Sequence, residues 1–143
     1  MHLREHWMIY ALGSALFAAL TALFGKLGVA GIPSNLATFI RTLVVLGVSA
    51  AIIAWRSEWR APATIEMKTW VFLVLSGIAT GLSWLCYYRA LQLGPVSKVA
   101  PIDKLSVALA ILLGVVFLGE SLSWPLAIGG GLIVLGSIVM IVF

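Results

Sequence analysis

Arg41, Asp103 and Lys104 are the side chains best placed to do chemistry in this sequence, because each falls inside a long apolar run. A charge so placed costs about 2.5–3.5 kcal/mol on insertion scales, so it usually faces protein or water and marks a binding site. Lys26, Arg89 and Lys98 join them near the ends of apolar runs, and Asp103 is the lone acid of the group. Counted inward from the Gly31, Ser34 and Ser97 turns at 1.5 Å per residue, Lys26, Arg41 and Lys104 lie roughly 7–10 Å below one surface. The chemistry expected of such a cluster is electrostatic capture of a polar solute, with no bond made or broken. Asp103 and Lys104 are adjacent but about 100° apart on a helix, so Arg41 or Lys26 is as open a partner for Asp103 as Lys104.

The competing reading is snorkelling, in which long cationic stems lift their charge to the headgroups. It applies to Lys26, Arg89 and Lys98 taken singly. It does not serve Asp103, whose stem is short. Trp84 and Tyr88 share a helix face at i,i+4 spacing, with Tyr87 beside it; packing or an interfacial belt competes there with a substrate wall. We therefore expect Arg41, Asp103 and Lys104 to line a polar cavity, with Lys26 and Lys98 as lesser contributors and Trp84 and Tyr88 as its aromatic side. No cofactor or metal is expected, and His2 and His6 read as a solvated tail. A membrane enzyme ranks lowest, since there is no buried histidine, thiol–base pair or paired carboxylate.

The elements that must position these residues are membrane helices. The sequence is 62% hydrophobic and 10% charged, with a mean hydropathy of +1.14, where a soluble domain carries about 25% charged residues. Too few polar side chains exist to cover a water-facing surface. The net charge of +4 comes without a basic run or aromatic–basic interleaving, which argues against nucleic acid. Cys86 is the only cysteine, so no intrachain disulfide is possible. The first apolar run is full length and lacks a clear cleavage site, so no removable signal peptide is expected.

Five runs reach the length needed to span a bilayer, at about 7–29, 35–55, 69–93, 96–118 and 124–143. Ser34 or Asn35 is a candidate cap for the second, Ser97 for the fourth and Ser123 for the fifth. Gly94 and Pro95 stop the third, and Pro101 weakens the start of the fourth by removing a helix donor. Gly77 with Gly81, and the run Gly129–Gly131, read as close-packing faces, as do Ala11, Ala15 and Ala19. Glu120 lies at the opposite surface from the charged cluster and reads as a loop or cap residue. With five spans, the N-terminus, the 56–68 loop and the 119–123 turn share one side. That side carries Arg4, Arg56, Arg60 and Lys68 against Lys26, Arg89 and Lys98 on the other, a weak bias toward a cytoplasmic N-terminus.

The stretch Arg89-Ala90-Leu91-Gln92-Leu93-Gly94-Pro95-Val96-Ser97-Lys98-Val99-Ala100-Pro101-Ile102 is followed by Leu105-Ser106 and by Phe117-Leu118-Gly119-Glu120. Together with Leu132-Ile133-Val134-Leu135-Gly136, it resembles the EamA domain of the drug/metabolite transporter superfamily over about the whole chain. The resemblance implies an all-α polytopic membrane protein, one domain over 1–143, equivalent to half of a ten-helix transporter. Members move amino acids, small metabolites, nucleotide sugars, cationic drugs or lipid-linked sugars, so substrate is not inherited. The function expected is a transporter protomer of the prokaryotic inner (plasma) membrane, exporting a small polar metabolite by alternating access. Its partners would be a small-molecule substrate, membrane lipid and a second copy forming a homodimer, preferably antiparallel. The alternatives are a lipid-carrier flippase subunit, in which the basic residues engage a phosphate headgroup, and a non-transporting membrane interaction protein.

Overall fold

The computed structural model describes residues 6–143; His2, Arg4 and the side chain of His6 lie outside that description. Its helices are α1 (His6–Gly28), α2 (Ser34–Trp55), α3 (Met67–Leu93), α4 (Val96–Asp103), α5 (Leu105–Leu118) and α6 (Trp124–Val142), with a 3-10 turn at Pro62–Thr64. No strand occurs among the described residues. Five segments are long and apolar enough to span a membrane, Val96–Leu118 being one span made of α4 and α5. No more than 11% of the apolar window of any span is buried within the protein. Large side chains such as Phe17, Phe72, Leu109 and Phe117 stay exposed. In water that surface would be strongly unfavourable, whereas lipid tails are as apolar as the side chains themselves. The chain is an all-α polytopic membrane protein, as its composition requires.

The residues divide into two compact units, Phe24–Gln92 and the chain on either side of it. In the first, hydroxyls within the apolar helices turn back on their own backbone. Thr38 donates to the Ser34 carbonyl at 3.0 Å, Thr42 to Thr38 at 2.8 Å and Thr80 to Ser76 at 2.8 Å. Each bond satisfies a donor that lipid cannot. Helix α2 ends with Glu58 N–H on the Ile53 carbonyl (3.0 Å) and Ser57 N–H on Ala54 (3.2 Å). This is a Schellman turn with Ser57 at the left-handed position, φ 53°, where glycine is usual. The core of the unit lies where Gly25 meets α3: a methyl at Gly25 would sit 3.3 Å from Leu91 Cδ1 and from Tyr88 Oη. Val29 and Leu91 are almost fully buried around this approach.

In the other unit α5 and α6 pack closely, so that a methyl at Gly130 would lie 3.1 Å from Ile111 Cδ1. Buried Ser137 of α6 donates to the Pro101 carbonyl at 2.9 Å. Pro101 lies inside α4, where it removes a helix donor, and the span breaks beyond it at Lys104, about two turns after the helix start at Val96. At Lys104 (φ −70°, ψ −11°) the bonds tighten, Lys104 N–H reaching Pro101 O at 3.1 Å and Val107 N–H reaching Lys104 O at 3.0 Å. Gly119, φ 67°, closes α5 in the left-handed region.

Three local expectations are corrected. Ser34, Asn35 and Ser97 do not cap: Pro33 and Pro95 occupy the cap positions of α2 and α4, with no side-chain cap bond. Proline's fixed φ with an extended ψ suits that position, so Ser34 falls inside α2 and Ser97 inside α4. Ser123 does cap α6, accepting from Leu126 N–H at 3.4 Å, with Pro125 in the first turn. Gly77 and Gly81 meet nothing within 4 Å of an added methyl, and of Gly129–Gly131 only Gly130 does. Small-residue spacing marks a face that permits close approach without showing that anything approaches it.

Candidate functional site

Within the unit Phe24–Gln92, the i,i+4 pair of α3 meets Arg41 of α2. The Arg41 guanidinium carbon lies 3.8 Å from the centroid of the Trp84 ring and 5.4 Å from that of Tyr88. Tyr88 is buried and Arg41 half-buried, and Tyr87 meets Tyr88 edge-on at 6.4 Å. Both aromatics thus pack against a cation of the neighbouring helix. A desolvated cation–π contact contributes about 2 kcal/mol, against about 2.5–3.5 kcal/mol for a cation deep in a span. The rings therefore offset much of the cost of Arg41 and leave its N–H edge to be satisfied by something else.

One turn further along α3, the chain forms a polar clasp. Lys26 Nζ donates to the Leu91 carbonyl. The Gln92 amide donates to Val29 O at 3.1 Å and Ile32 O at 2.7 Å. Its oxygen accepts from Arg89 Nη1 at 3.0 Å. A cavity of about 320 Å³ is lined here by Lys26, Val29, Ala30, Leu91 and Gln92. Lys26 is thus held at a helix C-terminus, where its charge also complements the helix dipole. Gln92 was not singled out by sequence, although it lies in the quoted motif three residues after Arg89. A lone amide has no periodicity to announce it.

In the other unit, Asp103 pairs with Lys104 at 3.3 Å, with side chains 38% and 53% exposed. The acid is thus paired with its sequence neighbour, while in the unit Phe24–Gln92 Arg41 is engaged by rings and Lys26 by a carbonyl. The long lysine stem brings its ammonium back to the adjacent carboxylate. Lys98 is exposed near the start of α4. The Glu120 carboxylate folds back along α5 to within 2.8 Å of where a methyl at Gly114 would stand.

Comparison with known proteins gives the chain its family. Residues 6–142 match the model of the EamA-like transporter family. A protein of Sinorhizobium sp. described as an uncharacterized transporter in the cobO 3′ region is 51% identical over 97% of this chain and 99% of its own length. An uncharacterized transporter of Bacillus subtilis, YxxF, is 32% identical over 78% of the chain, which spans only 35% of it. An uncharacterized protein of Methanocaldococcus jannaschii is 31% identical over 52% of the chain and 55% of its own length. No solved structure matches. With five apolar helices and this kinship, the chain belongs to the EamA-like transporter family and is an integral-membrane transporter.

Proposed function

We propose that the protein exports a small polar metabolite, that Arg41 with Trp84 and Tyr88 forms the heart of its binding wall, and that Lys26 contributes beside them. The observation that carries this is the guanidinium of Arg41 held 3.8 Å from the Trp84 centroid inside a membrane-spanning helix. A cation kept at such depth and pinned in place is costly unless it serves a ligand or a water-filled path. Asp103, Lys104 and Lys98 supply a second charged group, within the other unit. Transport proceeds by alternating access between two copies, preferably inverted, which restores the pseudo-twofold relation that such transporters use. Two facts favour this arrangement. The Sinorhizobium relative is covered over 99% of its length by one such domain. The basic residues flanking the spans are also nearly balanced between the two sides, which would let one sequence insert either way. The membrane is the prokaryotic plasma membrane, in keeping with the bacterial and archaeal sources of the relatives.

The test compares small polar solutes in the medium of cells producing the wild type with those of cells producing a variant neutralised together at Arg41, Asp103 and Lys104. At equal membrane abundance, a solute should build up outside only with the wild type. If the variant keeps the full phenotype, the protein acts by stabilising a partner and the export reading is lost.

A further inference from the structure

We infer that the Arg41 site takes an anion: its ligand presents a carboxylate or phosphoryl group to the guanidinium edge, and the transported or flipped molecule is therefore acidic. The inference rests on the reading of Arg41, Trp84 and Tyr88 as the binding wall, and it adds the charge class of what binds there.

Three observations carry it. First, the stretches Phe24–Trp55 and Met67–Gln92, which hold this unit's parts of three spans, contain Lys26, Arg41, Lys68 and Arg89, yet no aspartate or glutamate. The carboxylates of this unit, Glu58 and Glu66, lie in the segment after α2, and Glu58 is taken by Arg56 at 2.8 Å. Arg41 stands fourteen residues before the end of α2 at Trp55, about 21 Å at the helical rise, so neither glutamate reaches it. Second, Asp103, the acid weighed from sequence as its partner, is bound to Lys104. Among the described residues Arg41 has no ion pair or hydrogen bond, only its two ring contacts. Third, no side-chain nitrogen among the described residues is both sealed and unpartnered, so the guanidinium donors open onto accessible space.

The geometry selects the ligand. A guanidinium carbon 3.8 Å from a ring centroid is at the separation of stacked planar groups. Stacking occupies the face of the guanidinium and turns its N–H donors outward in the plane, the edge that meets two oxygens of a carboxylate or phosphate in parallel. A neutral amide presents only one acceptor oxygen to that fork. A cation would be repelled by a unit whose membrane spans carry only positive charge. The same chemistry serves an acidic solute and a phosphorylated lipid headgroup, and experiment separates them.

The experiment measures thermal unfolding of the purified full-length protein in phosphatidylcholine vesicles, titrated with inorganic phosphate, benzoate or benzamide, and repeated in vesicles doped with phosphatidic acid. Stabilisation that saturates with phosphate or benzoate but not with benzamide identifies an acidic solute. Stabilisation by phosphatidic acid alone identifies a lipid headgroup. Either result supports the inference if Arg41→Gln abolishes it, Arg41→Lys weakens half-saturation by about tenfold through loss of one charged hydrogen bond, and Lys68→Gln leaves it intact. Should Arg41→Gln fail to fold, Arg41→Lys and Trp84→Leu decide: both keep a positive charge at residue 41, and both should weaken the response. Benzamide acting as strongly as benzoate, an absence of response to any of the anions, or an unchanged response in the Arg41 and Trp84 variants would overturn it. Export by the wild type that persists at full rate in Arg41→Gln for a neutral or cationic solute would also overturn this inference while leaving export standing. Anion binding without any export would instead overturn the export reading alone.

Discussion

The Gln92 clasp is the feature whose removal has the most readily worked consequence. Gln92 donates to the carbonyls of Val29 and Ile32, at 3.1 and 2.7 Å, and so ties the turn between α1 and α2 to the end of α3. Those carbonyls follow the last helical turn of α1, where no intrahelical donor remains for them. Replacing Gln92 with leucine keeps the volume but removes both donors. At about 1 kcal/mol net per bond the loss is about 2 kcal/mol, or roughly thirtyfold in the unfolding equilibrium. Gln92→Glu separates this account from its rival. If the bond from Arg89 to the Gln92 oxygen (3.0 Å) were what mattered, a carboxylate would strengthen it and Gln92→Glu would be at least as stable as wild type. If the two carbonyl contacts matter, Gln92→Glu sets anionic oxygens against carbonyl oxygens and should be less stable than Gln92→Leu. Unfolding by denaturing detergent, followed by tryptophan fluorescence, gives the order. Wild-type stability in Gln92→Leu, or a stabilised Gln92→Glu, would refute the reasoning.

Gly25→Ala places a methyl 3.3 Å from Leu91 Cδ1 and Tyr88 Oη, and both side chains are buried with little room to give, so the overpacking outweighs the roughly 1 kcal/mol that alanine gains over glycine in a helix. It should lower stability and weaken export, whereas Gly77→Ala, with open space around it, should do neither. Asp103→Asn frees Lys104 inside a membrane span and should impair transport or stability more than Glu120→Gln; equal activity and melting for the two would remove Asp103 from the site. In a Cys86→Ser background, cysteines at 58–66 should be labelled from the side opposite a C-terminal cysteine within a population of fixed orientation, and labelling of both from one side would exclude five spans.

How much of this was legible in sequence follows from the physics of each part. Runs of about twenty apolar residues have one folded solution in lipid, an α-helix, so the five spans could be placed to within about two residues. The third opens at Met67 rather than 69. Helix ends were harder because prolines displaced the expected serine caps, and Ser57 took a left-handed position that sequence assigns to glycine. The i,i+4 pairing of Trp84 with Tyr88 was visible because it lies on one helix. Its meeting with Arg41 was not, since that depends on the register between two helices. The Asp103–Lys104 pair was hidden for a related reason: helix spacing sets neighbouring side chains apart, and the reach of the lysine stem closes the gap. Gly77 and Gly81 meet no neighbour within this chain, since spacing reports permission to pack and not a partner.

The most direct test of the account is uptake by everted membrane vesicles from cells producing the wild type, Arg41→Gln or neither, followed by profiling of the small polar solutes and lipids retained. The expected result is one acidic solute, or a few related ones, enriched with the wild type and not with Arg41→Gln at matched abundance. Vesicle contents that are the same for wild type and empty membranes, under conditions where the protein is present and folded, would contradict the claim that this chain transports through the Arg41 site.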